Sequence, residues 1–142
     1  MPALSESLYF ITGTDANQNP IKSSSLTYPP AQRGVRTYYT EKVKGDGYYG
    51  NGQGLQTVTY VPWYEGPTGQ LVINNFVGSV VIQASLATDP VDADWFPISS
   101  TATTFDSVYH INTFHNFVGN FVWIRAKVDI SAGVLTSILY NH

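Results

Sequence analysis

Three carboxylates crowd into Thr88-Asp89-Pro90-Val91-Asp92-Ala93-Asp94. Hard cations such as calcium take several oxygen ligands from a short loop, so Asp89, Asp92 and Asp94 are the metal candidates of this chain. The EF-hand spacing and its distal glutamate are missing. Aspartate before proline also starts turns by bonding its own backbone. Turn chemistry is therefore the preferred reading, and no metal is expected.

Gly45-Asp46-Gly47-Tyr48-Tyr49-Gly50 is a literal G-x-G-x-x-G. A dinucleotide site needs a helix after the glycines, because the helix N-terminus holds the pyrophosphate. Here Asn51-Gly52-Gln53-Gly54 and a strand pattern follow instead. The expectation is a glycine-rich turn with positive φ at several positions, presenting Tyr48 and Tyr49 as contact residues. His110 and His115 are five apart, which puts them on opposite faces of a continuous strand and makes no zinc pair. Neither G-x-S-x-G nor H-E-x-x-H occurs. No catalytic residue and no cofactor are expected, and the chain reads as non-enzymatic.

The large aromatics are the remaining candidates. Trp63-Tyr64, before Glu65-Gly66-Pro67, reads as a loop tip. Trp95-Phe96 stand at a strand start, where at least one should enter the core. Trp123 alternates with Arg125 and Lys127 on one strand face, either stacked under the arginine or turned to a partner. Exposed aromatics bind protein subunits or sugars, so a glycan-binding module using Trp63, Tyr64, Tyr48 and Tyr49 is the alternative function.

The elements that must position these residues are strands. The chain has 142 residues, enough for one domain, and no cysteine, which excludes disulfides and thiolate chemistry. Charged residues make up 12% of it, about half the usual ~25%. The first 44 residues hold five basic and three acidic side chains, a balance of +2, and the rest hold two basic and seven acidic, a balance of −5. That basic third is too dilute to contact several phosphates on one face, so no nucleic acid is expected. No run approaches the ~18 apolar residues of a membrane helix, and no membrane partner is expected. The N-terminus lacks a basic n-region and Glu6 interrupts its apolar stretch, so synthesis without a signal peptide is expected.

No sustained 3.6-residue periodicity appears, while Val, Ile, Thr, Tyr and Phe dominate between Gly and Pro punctuation. Strands are expected at 8–12, 37–43, 55–61, 70–74, 78–86, 95–99, 108–114, 119–128 and 135–140. The fold expected is all-β, a single jelly-roll-like β-sandwich over 37–142. Residues 1–36 read as an extended N-terminal arm, because Pro20, Pro29 and Pro30 argue against a central strand. Its Ile21, Leu26, Tyr28, Arg33 and Arg36 are expected to contact another subunit, with Lys22, Arg33 and Arg36 meeting acidic groups there. Asn75-Phe76-Val77-Gly78 recurs as Asn116-Phe117-Val118-Gly119. After each, 80–86 matches 122–128 with a one-residue offset. Alternation makes Val80, Ile82, Ala84, Leu86, Val122, Ile124, Ala126 and Val128 the expected core.

Several segments together resemble small virion structural proteins of T4-like tailed phages, especially those infecting marine cyanobacteria. They include Lys44-Gly45-Asp46-Gly47-Tyr48-Tyr49-Gly50, Leu55-Gln56-Thr57-Val58, Val81-Ile82-Gln83, Leu86-Ala87-Thr88-Asp89-Pro90, Asp94-Trp95-Phe96, and the run from Gly119 through Asn120-Phe121-Val122-Trp123-Ile124-Arg125-Ala126-Lys127-Val128. They span residues 42–140, and the last is the most specific. The resemblance implies a decoration or tail-associated β-sandwich without catalytic residues, assembled in the virion with other virion proteins and with itself. Such a protein is made in the host cytoplasm and released by lysis. Tyr48, Tyr49, Trp63, Tyr64, Trp123 and Arg125 then join the arm residues as the expected subunit interface.

Overall fold

A computed structural model describes residues 5–29, 32–45, 54–65, 71–73, 76–106 and 112–141. Their strands are β1 (Ser5–Ser7), β2 (Phe10–Thr14), β3 (Pro20–Ser23), β4 (Leu26–Thr27), β5 (Arg36–Thr40), β6 (Val43–Lys44), β7 (Gly54–Val61), β8 (Trp63–Glu65), β9 (Leu71–Ile73), β10 (Val77–Ser85), β11 (Phe96–Asp106), β12 (Thr113–Gly119), β13 (Trp123–Ala132), β14 (Val134–Leu135) and β15 (Ser137–Asn141). Among the described residues the one helical element is a 3₁₀ turn at Asp92–Asp94.

Period-two alternation builds the two central strands. In β13 the side chains of Ile124, Ala126, Val128 and Ile130 are fully buried, while Trp123, Arg125, Lys127 and Asp129 between them face outward. In β10, Val80, Ile82 and Ala84 go inward. These strands are the two copies of the repeat, and they pair antiparallel: Val80 lies opposite Val128, Ile82 opposite Ala126 and Ala84 opposite Ile124.

A seven-stranded sheet grows around that pair in the order β11-β10-β13-β5-β2-β3, with β6 also pairing β13. A four-stranded sheet, β1-β15-β7-β12, faces it. Tyr60, Val58, Ile138, Tyr140 and Phe117 from the smaller sheet share one core with Phe10, Ile82, Phe105, Ile124 and Ile130 from the larger. The architecture is a β-sandwich of antiparallel sheets.

Buried polar groups sit where the ladders break. The β10–β11 register jumps between Val80–Thr103 and Ile82–Ile98. Thr101, fully buried, fills the gap: its Oγ1 accepts from Ile82 N at 2.9 Å and donates to Ile98 O at 2.7 Å. From the opposite sheet Tyr60 Oη donates to Thr101 O at 2.9 Å. Between β5 and β6, Ala126 N donates to Thr40 Oγ1 at 2.8 Å. Gln56, also fully buried, accepts from the Tyr140 hydroxyl and donates to Gly119 O at 3.0 Å. An unpaired buried N–H or C=O costs about 1–3 kcal/mol, so these side chains hold the breaks together.

Two expectations are corrected. Residues 10–27 belong to the sandwich and not to an arm beside it. β2 and β3 form a hairpin on the edge of the large sheet, and β4 pairs β14. Leu8 and Phe10 are fully buried and Leu26 is 1% exposed. Pro20 fits because it begins an edge strand, where proline loses no ladder bond. Leu86 is 63% exposed and not in the core. β10 ends at Ser85, whose carbonyl accepts from Val122 N at 3.0 Å and whose Oγ accepts from Ala87 N at 3.1 Å, so the chain turns at Leu86. Val122, just before β13, is half-buried.

Candidate functional site

The outward face of the large sheet carries a polar and aromatic cluster built around Arg125. Arg125 on β13 places its Cζ 4.1 Å from the Tyr39 ring centroid and 4.4 Å from that of Trp95. Tyr39 comes from β5 and Trp95 from the turn before β11, so three separate segments meet at one guanidinium. Arg125 Nε donates to Gln83 Oε1 at 2.7 Å. Partial burial lowers the guanidinium's pKa, while Tyr39 and the Asp92 carboxylate oppose that shift. Arginine remains charged throughout the ordinary pH range.

A second cation rests on Trp123, and it is Lys42: its Nζ lies 4.6 Å from the indole centroid. Trp123 Nε1 donates to Thr88 O at 2.8 Å. Trp123 is therefore stacked, as one branch of the sequence reading has it, but beneath a lysine and not beneath Arg125. A recess of about 310 Å³ lies beside it, lined by Glu6, Lys42, Val43, Lys44 and Trp123.

The other expected site residues divide. Asp94 Oδ2 accepts from Val91 N at 2.9 Å, which closes the turn. Among the described residues no three His, Asp or Glu side chains gather to hold a metal ion, and Asp89, Asp92 and Asp94 do not converge. Trp63 and Tyr64 lie on β8, paired with Ile73 and Val72 in a small hairpin and not at a loop tip. Tyr48 and Tyr49 lie outside the described residues. Gly45 is buried, and its N–H donates to Val122 O at 3.0 Å. A Cβ there would come within 2.3 Å of Phe121 O, so close approach of two backbones requires this glycine.

Leu26 is a core residue and not an interface residue. Tyr28 packs on the core, and its hydroxyl donates to Gly34 O at 2.6 Å. Lys22 meets Glu41 of its own chain at 2.6 Å. Arg36 lies over the Tyr38 ring at 5.7 Å. Ile21 and Arg33 are exposed. Trp95 is half-buried and Phe96 is 38% exposed, so neither enters the core as expected. Their packing is on the surface, with Arg125 and with Phe121, whose ring centroid is 5.9 Å from that of Phe96.

Sequence reasoning missed Tyr39, Trp95 and Gln83 as one cluster. The signal available was the Gln83 and Arg125 match within the repeat. What the arrangement can do chemically is recognise by stacking and by directed hydrogen bonds, since its groups are a cation, two rings and an amide. Thr103 Oγ1 and His115 Nε2 lie 2.6 Å apart, a nucleophile–base separation, but neither residue joins this cluster or lines the recess. No protein-family model matches the chain, and no curated protein matches it.

Proposed function

We propose that this chain is a non-enzymatic structural subunit of a tailed-phage particle, which it decorates or completes through contacts with other virion proteins. The observation that carries the reading is Arg125 held against Tyr39 and Trp95 on the outward face of a sheet. Arg, Tyr and Trp are the residues in which binding energy concentrates at protein interfaces. Their mutual stacking fixes the side chains before a partner arrives, which reduces the ordering cost of association. The low content of charge acts in the same direction, because few ions need desolvating. The phage assignment rests on the likeness of residues 42–140 to virion proteins of T4-like phages, and it implies synthesis in a host cytoplasm.

The test is to purify tailed particles from cells that produce this chain and to quantify it by mass spectrometry. A fixed number of copies per particle is expected. Its presence in the lysate but not in the particles would overturn the reading. Arg125→Ala should fold normally and be depleted from particles, because it removes the stacked cation without touching the core.

A further inference from the structure

The two outward faces of the sandwich differ in charge. The outward face of the large sheet carries the exposed Lys22 and the half-buried Arg125, Lys127 and Asp129. On the small sheet the one described charge is Glu6 on edge strand β1; the outward positions on β12, β7 and β15 include Phe114, Asn116, Val118, Thr57, Thr59 and Leu139, all uncharged. Phe114 is 64% exposed and Val118 is 58% exposed.

The free edges differ too. An open strand edge is a template for pairing, and proteins guard it with proline, charge, bulges or brevity. β3 carries Pro20 and Lys22, β11 carries Pro97 and the break at Thr101, and β1 has three residues including Glu6. β12 has seven residues, without proline, bulge, Lys, Arg, Asp or Glu, and among the described residues it pairs only with β7.

We propose that β12 pairs with β12 of a second copy of this chain, antiparallel, about a two-fold axis at Asn116. This deepens the assembly reading by giving its self-contact a surface. The spacing of the exposed residues is self-complementary. The axis sets Phe114 against Val118 of the partner subunit and Asn116 against Asn116 of the partner subunit. The two couples flanking the axis each join an aromatic to a β-branched side chain, a stabilising combination. Asn116 Oδ1 accepts from Thr57 Oγ1 at 2.8 Å, which turns its amide donors to the remaining directions. An uncharged face meets its own copy without like-charge repulsion, whereas the large sheet's face would set Arg125 and Lys127 near their equivalents.

Sedimentation of the purified chain, without particles, tests this separately from the particle reading. A dimer at micromolar concentration is expected. Asn116→Lys places like charges opposite each other on the axis and should weaken self-association about tenfold or more, with unchanged circular dichroism. The chain has no cysteine, so Asn116→Cys supplies one thiol per copy. Cα atoms across an antiparallel pair are about 4.5–5.5 Å apart, within disulfide reach, so this variant should oxidise to a covalent dimer. A monomeric parent chain, a dimer or larger species unaffected by Asn116→Lys, or an Asn116→Cys variant that stays unlinked under oxidant would each overturn the proposal.

Discussion

Gln83 and Arg125 occupy the same place in the two copies of the internal repeat, and they also face each other across the β10–β13 ladder, joined by a 2.7 Å hydrogen bond. A local two-fold axis therefore passes through this pair. Residues on either side of it, Ala84 with Ile124 and Ile82 with Ala126, exchange roles across the axis.

Ile124→Ala should cost about 2–5 kcal/mol, because Ile124 is fully buried between the sheets and the cavity cannot close. Leu86→Ala, at its equally apolar but exposed position, should stay within about 0.5 kcal/mol. Urea denaturation of both variants checks the assignment of faces. A large loss at Leu86 would contradict it.

Thr101→Val should destabilise by about 1–3 kcal/mol, since it leaves Ile82 N and Ile98 O without their shared hydroxyl. Thr101→Ser keeps the hydroxyl and should recover most of that loss. Thermal unfolding of the two variants separates the hydrogen bonds from the packing.

Gly78→Ala should be strongly destabilising. A Cβ at Gly78 would stand 2.1 Å from Asp129 O, and backbone in a sheet cannot step aside cheaply. Gly13→Ala is the control, because the nearest atom to a Cβ there is the Ile21 Cδ1 at 3.9 Å. Comparing their melting temperatures should show a clear drop for the first variant and little change for the second.

His115 gives the fold a pH dependence. Burial lowers its pKa below the ordinary value of about 6.5, so in mild acid the unfolded chain binds more protons than the folded one. The stability it contributes is complete above about pH 6.5 and is lost as pH falls through the lowered folded value. His115→Asn should flatten the decline in urea midpoint between about pH 8 and about pH 5. An identical slope in both proteins would exclude His115 as its source.

Alternation made β10 and β13 legible, because both strands bury one face and wet the other without interruption until Ser85. The strand at 8–12 was legible, but the docking of the rest of the N-terminal segment was not, because its anchors are sparse. Leu26 stands alone in a polar stretch, and Leu8 and Leu26 are held by strands more than 100 residues away, while Phe10 pairs with the nearer β3 and β5. The Arg125 cluster was illegible for the same reason. Tyr39, Trp95 and Arg125 come from three segments, and only pairing of β5, β13 and β10 brings them together. Leu86 shows the converse: a repeat match extends past the point where the strand itself stops.

The closing contacts of the sandwich join the beginning of this sequence to its far end. β1 pairs β15, β4 pairs β14, Leu8 N donates to Ile138 O and Tyr28 N donates to Gly133 O. During synthesis, residues 5–8 and 26–28 thus emerge more than 100 residues ahead of the strands that receive them. The hairpin of β2 and β3 can form early, but the core around Leu8 and Leu26 stays open until residues 133–141 have left the ribosome. Such long-range closure is the slow kind of folding step. Until it is complete, the nascent chain presents its apolar anchors to whatever else is in the cell.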